Sequence, residues 1–501
     1  MLGAASLRCG RTITRCCRRS ASSRHMCTAI SVVAAGRKAI DTLSSHGLPC
    51  FAVPPSSVKV MLTPSKFYAT LIEHQRRAQR RVALASLYIG NGPLEAALVD
   101  EAAATQAGRP HRTLSVLVDY HRSRRRGASG VLGNLVGLSG AQIHLLASPA
   151  SPVPDSASVP FARPLAALAS VLAEVKGVQH TKFAVFDNDV LLTGANLSAE
   201  YFTNRQDRYV LLSAVPELAD FLSEFHDVLA RHAHDFAPGQ PCEPASRRPQ
   251  TTLADDARLL FERARANFPP PSDDELAAGG CWIMPMAQIG AAGLMQESDA
   301  VASLLELARG SSHPPLPLLL SSPYLNPPEE YVGQLRRTVP GPSIGTTSSA
   351  GVNEPPRKPT LISAAPSASG FWGARGLRGL IPHMYAALER QLARGALGTA
   401  VRHFSRDGWT YHAKGLWLWP GVDKGGPTLT LIGSSNLSER STRRDIELSA
   451  CIVTTEGSVR HKLLAEQAHL RAQTHESREM PTEHWYSRAI EWVASALRSY
   501  F

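Results

Sequence analysis

Four polar residue types occur twice in the same order along this 501-residue chain. In HTKFAVFD, His180 and Lys182 lead through an apolar stretch to a turn ending at Asn196, and Asp207 lies eleven residues beyond. In HAKGLWLW, His412 and Lys414 lead in the same way to Asn436, and Glu447 again lies eleven residues beyond. A lone histidine-x-lysine is a weak signal because both residues are common; the duplicated order is a strong one. An imidazole can serve as nucleophile or as general acid and base, while an ammonium and a carboxamide stabilise charge on non-bridging phosphoryl oxygens. A carboxylate that accepts the second ring N–H fixes the tautomer, a role that suits Asp207 and Glu447. Two such half-sites can make one whole site for a phosphodiester.

The segments that carry these residues are apolar and β-prone, so each is expected to be a buried strand on which residues i and i+2 share a face. His180 and Lys182 then point together, and the following strand ends in a Gly/Asn turn that brings an amide beside them. Asp187 stands seven residues after His180, an odd offset that turns it to the opposite face. The second copy has Trp419 at that offset. The repeat reaches further back: VALASLYIGNGPLEAAL from Val82 and LPLLLSSPYLNPPEEYV from Leu316 both read as strand, tyrosine, turn and acidic helix start. Tyr88 and Tyr324 precede their histidines by 92 and 88 residues. Helical patterns at Leu165–Val175 and Pro216–His232 between the strands predict α/β layers in two duplicated halves.

His180, Lys182 and Asp187 complete the HxKxxxxD motif, and the chain resembles the phospholipase D superfamily. The resemblance implies two α/β/α sandwich domains related by a pseudo-twofold axis with one shared active site. It further implies a phosphohistidine and neither metal nor cofactor, and it puts His180, Lys182, Asp187, His412 and Lys414 in the catalytic set. Segments starting at Arg80, Leu191 and Asp407 are similar to the mitochondrial phosphatidylglycerophosphate synthases, a class-II type of CDP-alcohol phosphatidyltransferase, across most of the chain. That narrower resemblance implies CDP-diacylglycerol as donor and glycerol 3-phosphate as acceptor. His180 would attack the lipid-side phosphorus, His412 would protonate departing CMP and then deprotonate the acceptor hydroxyl, and Asn196 and Asn436 would bind phosphoryl oxygens.

The first forty residues hold eight basic side chains (Arg8, Arg11, Arg15, Arg18, Arg19, Arg24, Arg37, Lys38) and no acid, the composition of an organellar transit peptide. Arginine richness and the resemblance favour the mitochondrion. Removing that segment takes the formal charge from +11 to +3, so overall charge does not argue for nucleic acid. Five of the eight cysteines lie in the first fifty residues, and Cys242, Cys281 and Cys451 are isolated, which excludes a disulfide framework and zinc spacing. No apolar run reaches about eighteen residues, so a lipid enzyme would work in peripheral contact with a membrane surface. The C-terminal segment from His484 has helical spacing of Trp485, Trp492 and Tyr500, read as a helix packed on its own domain or lying in an interface. Pro/Ser/Gly-rich stretches predict loops at 148–160 and 340–359 and a boundary within 237–250. The domains are thus expected at 41–240 and 241–501. The residues alone leave open a nuclease of the same superfamily, a transferase using another acceptor such as serine, and an inactive lipid-binding scaffold.

Overall fold

The computed structural model describes residues 21–123, 130–151, 176–236, 251–310, 315–337 and 351–476, apart from 357, 376–378, 396–398 and 422–423, together with 492 and 494. The expected helix at Leu165–Val175, most of the predicted loops, the proposed boundary and most of the C-terminal helix lie outside the described residues.

Two large sheets carry the fold. The first has eight strands in the spatial order His234–Asp235, Ala141–Leu146, Thr113–Asp119, Arg81–Ala85, Phe183–Phe186, Asp189–Thr193, Tyr209–Leu212 and Val58–Met61. The second repeats that order with Thr474–Glu476, Ala400–Phe404, Thr360–Ala364, Leu318–Ser321, Gly415–Leu418, Leu429–Gly433, Ile446–Thr454 and Cys281–Ile289, and adds Phe51–Val53 at its edge. Parallel and antiparallel pairings match as well: Arg81–Ala85 is parallel to Thr113–Asp119 and antiparallel to Phe183–Phe186. Leu318–Ser321 bears the same relation to Thr360–Ala364 and Gly415–Leu418. The duplication legible in the motifs therefore extends through the whole eight-stranded unit.

The central strands are buried on both faces, as their unbroken apolar runs require. Parity divides their side chains. Val82 and Leu84 face a core shared with helices Pro64–Arg77 and Pro93–Ala107, while Ala83 and Ala85 face a core that joins the two halves. In the second sheet Trp282, Met284 and Met286 pack with helices Gln296–Arg309 and Glu329–Arg337. Ile283, Ala287 and Ile289 turn the other way, into the joining core with Phe183, Val185 and helices Pro216–Arg231 and Leu253–Asn267. Prolines at the first turns of the helices starting at Pro64, Pro93 and Pro216 fix where the chain leaves the preceding loop.

The expected division at residue 40 falls inside helix Ala21–Ser44. Ala39, Ile40 and Leu43 of that helix are buried with Trp282 and Leu304, and Phe51 pairs with Ile283. Strand Phe51–Val53 thus joins the second sheet and the helix before it packs on that half, although both precede the first sheet in sequence. The reason is that long-range pairing leaves no mark in local composition.

Candidate active site

Each histidine-x-lysine lies in the extended approach to a strand, not within it: His180 and Lys182 precede Phe183–Phe186, and His412 and Lys414 precede Gly415–Leu418. The approaches are fixed by the opposite half. The His180 N–H donates to Ile446 O at 2.8 Å, and the His412 N–H donates to Gln206 O at 2.8 Å. Ile446 immediately precedes Glu447, and Gln206 immediately precedes Asp207, so each bond sets a histidine beside the other half's carboxylate. His180 Nδ1–H donates to both Glu447 oxygens at 2.9 Å, and His412 Nδ1–H donates to Asp207 Oδ2 at 2.7 Å. Two short bridges, Gln179 with Ile446 and Arg205–Gln206 with Thr410–Tyr411, knit the halves at these points.

The lysines lie inside this exchange. Lys182 Nζ donates to His180 O at 2.7 Å, while Lys414 Nζ lies 2.7 Å from His412 Nδ1 and 3.8 Å from Asp207 Oδ2. Burial pushes Lys182 down to about 7 and Lys414 down to about 8, because an ammonium loses hydration there. Burial also raises Asp207 and Glu447 above the usual carboxylate range. Both histidines are held well below their ordinary value, first by burial and then by the adjacent lysine, so both rings are neutral at physiological pH. With Nδ1 protonated toward a carboxylate, each neutral ring presents the lone pair of Nε2; at His412 this tautomer requires Lys414 to direct its N–H groups to Asp207 and not to the ring.

The turns that close the site differ between halves. Gly194 admits no side chain: a Cβ there would lie 2.7 Å from Asp207 Oδ1 and 3.0 Å from Gly433 O. Ser434 occupies the matching place and donates to Glu447 Oε2 at 2.5 Å. Asn196 Nδ2 donates to the Tyr201 hydroxyl at 3.0 Å, and that hydroxyl lies 3.1 Å from His412 Nε2. Among the described residues the buried carbonyl oxygens of Asn196 and Asn436 have no hydrogen-bond partner. Counting from the asparagines, Ser441 stands where Tyr201 does, and among the described residues His180 Nε2 has no hydrogen-bond partner. Sequence reading missed Tyr201, Ser434 and Asp445. A comparison of the two post-asparagine segments finds the first only as a mismatch, tyrosine against serine.

Asp187 is not brought to the site. It sits at the tip of the hairpin beyond Phe183–Phe186, with φ 53°, and accepts the N–H groups of Gln79, Arg80 and Arg81 at 2.8, 2.8 and 3.0 Å. A four-residue strand puts about 13 Å between this turn and the lysine end. Trp419 instead starts a longer connection between Gly415–Leu418 and Leu429–Gly433, and its fully buried ring packs with Trp417, Phe404 and Leu319. The second hairpin has no tight turn to hold, so it lacks the aspartate that holds one.

His180, Asp445 and Glu447 place ligand-type atoms within 4.8 Å of one another. Glu447 is already engaged by His180 and Ser434, and Asp445 by the Val178 N–H at 2.9 Å and the Arg440 guanidinium. A guanidinium beside the carboxylate opposes a second cation there.

Two neutral imidazoles, each oriented by a carboxylate and flanked by a buried lysine, meet in a duplicated phospholipase D-like fold. The chain is similar over that whole fold to phosphatidylserine synthase from Haemophilus influenzae, with a TM-score of 0.64 at 18% identity, covering 93% of this chain and 100% of that one. It is 31% identical over 472 residues to mitochondrial CDP-diacylglycerol–glycerol-3-phosphate 3-phosphatidyltransferase of Gallus gallus, covering 84% of this chain and 79% of the relative. To the protein of the same name from Homo sapiens it is 32% identical over 469 residues, covering 84% and 78%. No protein-family model matches the chain. The chain belongs to the CDP-diacylglycerol–glycerol-3-phosphate 3-phosphatidyltransferase family.

Proposed function

We propose that this protein transfers the phosphatidyl group of CDP-diacylglycerol to glycerol 3-phosphate, giving phosphatidylglycerol phosphate and CMP, in the mitochondrion. The observation that carries the reading is the exchange of carboxylates between halves, which sets both histidines in one site in a chain of this family. His180 is the nucleophile. Its Nε2 is open, whereas His412 Nε2 is covered by the Tyr201 hydroxyl at 3.1 Å. The Nε2 lone pair of His180 attacks the lipid-side phosphorus, the bond from phosphorus to the bridging oxygen breaks, and CMP departs with that electron pair. A phosphate leaving group has a pKa of about 6 and requires no proton at neutral pH. His412 therefore need not begin as an acid, and its depressed basicity fits the second step. There the primary hydroxyl of glycerol 3-phosphate replaces Tyr201 at His412 Nε2 and gives it the proton, while the hydroxyl oxygen attacks phosphorus and displaces His180. Asp207 stabilises the imidazolium that forms. Lys182, Lys414 and the amides of Asn196 and Asn436 hold the charge on the phosphoryl oxygens.

Among the described residues no helix is long and apolar enough to cross a membrane, and the reading has the protein meeting its lipid at the membrane surface. The test is full-length protein with CDP-diacylglycerol in mixed micelles and labelled glycerol 3-phosphate, with a chelator present. CMP and labelled lipid should form together. Absence of labelled lipid, or cleavage of single-stranded DNA or RNA in its place, overturns the reading.

A further inference from the structure

Counting from Asn196 and Asn436 aligns Tyr201 with Ser441, Glu200 with Arg440, Arg205 with Asp445 and Asp207 with Glu447. At two of these places the charge is reversed. In the second half the reversed pair cancels itself, since Arg440 Nε lies 3.1 Å from Asp445 Oδ2. In the first half Glu200 instead takes a hydrogen bond from Ser198 Oγ at 2.7 Å, and among the described residues Arg205 forms no ion pair with a carboxylate. Arg205 is held in place all the same. Its Nε donates to Thr410 Oγ1 at 2.9 Å, and its guanidinium carbon lies 4.7 Å from the centre of the Tyr201 ring. The backbone at Gly370 passes so close that a Cβ there would lie 3.0 Å from an Arg205 Nη.

A half-buried, oriented guanidinium that forms no ion pair among the described residues and meets Glu200 only through space leaves charge that an anionic ligand can complete. The guanidinium lies over the Tyr201 ring, whose hydroxyl touches His412 Nε2, so one aromatic ring separates the cation from the base that receives the acceptor hydroxyl in the proposed reaction. We infer that Arg205 is the specificity residue of the acceptor subsite: it binds the phosphomonoester of glycerol 3-phosphate and so selects it over uncharged alcohols. The inference rests on the reaction proposed above. No atom is transferred to Arg205; its guanidinium N–H groups donate to phosphate oxygens while the acceptor hydroxyl is deprotonated by His412.

The test gives full-length wild type and the variants Arg205→Gln, Arg205→Lys and Thr410→Val either glycerol 3-phosphate or glycerol, with CDP-diacylglycerol in mixed micelles. The quantity read is the ratio of kcat/KM for the two acceptors. Both share the step that forms phosphatidyl-histidine, so any effect on the donor cancels. Arg205→Gln should raise KM for glycerol 3-phosphate and lower the ratio on the order of 10- to 100-fold, the worth of a charge-assisted hydrogen bond to phosphate. Arg205→Lys should recover part of the ratio, and Thr410→Val should lower it less. An unchanged ratio in Arg205→Gln overturns the inference, and so does a parallel loss with both acceptors. If circular dichroism shows Arg205→Gln unfolded, an unchanged ratio in Thr410→Val overturns it. A wild type that makes no lipid from glycerol 3-phosphate fails the reaction itself, before any variant is compared.

Discussion

Each imidazole in the site has its Nδ1 engaged by a carboxylate that comes from the other half of the chain. Asp207→Asn and Glu447→Gln keep the shape and remove the charge that favours Nδ1–H. Each should lower kcat by about 10- to 100-fold, the usual effect of removing a group that orients a reacting histidine. The two should be separable by rapid quench: Glu447→Gln slows the first release of CMP, whereas Asp207→Asn leaves that burst and slows transfer to the acceptor. The lysines set a basic limb. Both are charged below their shifted values of about 7 and about 8 and neutral above, so kcat/KM should fall as pH rises through that window. Bound phosphate stabilises the ammonium forms, so the corresponding fall in kcat should lie at higher pH; coincident limbs would contradict the assignment. The histidines, lysines and carboxylates that the structure gathers here were legible in the sequence because their order is repeated. Tyr201 was not, because Ser441 stands at the matching place and a repeat reveals only what it preserves.

Asp187 shows what belongs to the element. Burial raises its carboxyl, but three backbone N–H groups more than offset that and hold it below the ordinary range. Asp187→Ala orphans those donors at a turn with positive φ, and should cost about 1–3 kcal/mol by chemical denaturation while leaving kcat near wild type. A loss of turnover without loss of stability would return Asp187 to the chemistry. Strand parity in the sequence turned Asp187 to the face opposite His180, but the structure separates them for another reason. The histidine and lysine precede the strand, and the aspartate is removed chiefly by the strand's length. Apolar runs gave the buried strands, whereas which carboxylate meets which histidine could not be read from spacing that is identical in both copies.

At the level of the molecule, the halves are joined by more than the site. Arg208, from the strand edge of the first half, is buried and donates twice to Glu466 at 2.8 Å, to Leu431 O at 2.6 Å and to Thr430 Oγ1 at 2.8 Å, all in the second. Its guanidinium carbon lies 3.9 Å from the centre of the Trp417 ring. Gly415 leaves the room: a Cβ there would lie 2.4 Å from Arg208 Nη1. Glu466→Gln strands a buried cation and should cost about 3–5 kcal/mol in thermal or denaturant unfolding. The duplication was legible from the repeat, but the placing of strand Phe51–Val53 in the second sheet was not, since it finds its partner more than two hundred residues away. The carboxylate exchange has a consequence for the life of the chain before it is finished. A polypeptide still emerging from a ribosome or a membrane pore, with its first half folded and its second half unmade, holds His180 with no Glu447 and Asp207 with no His412. Such an intermediate cannot squander activated lipid on water, and the first turnover marks the moment the molecule is complete.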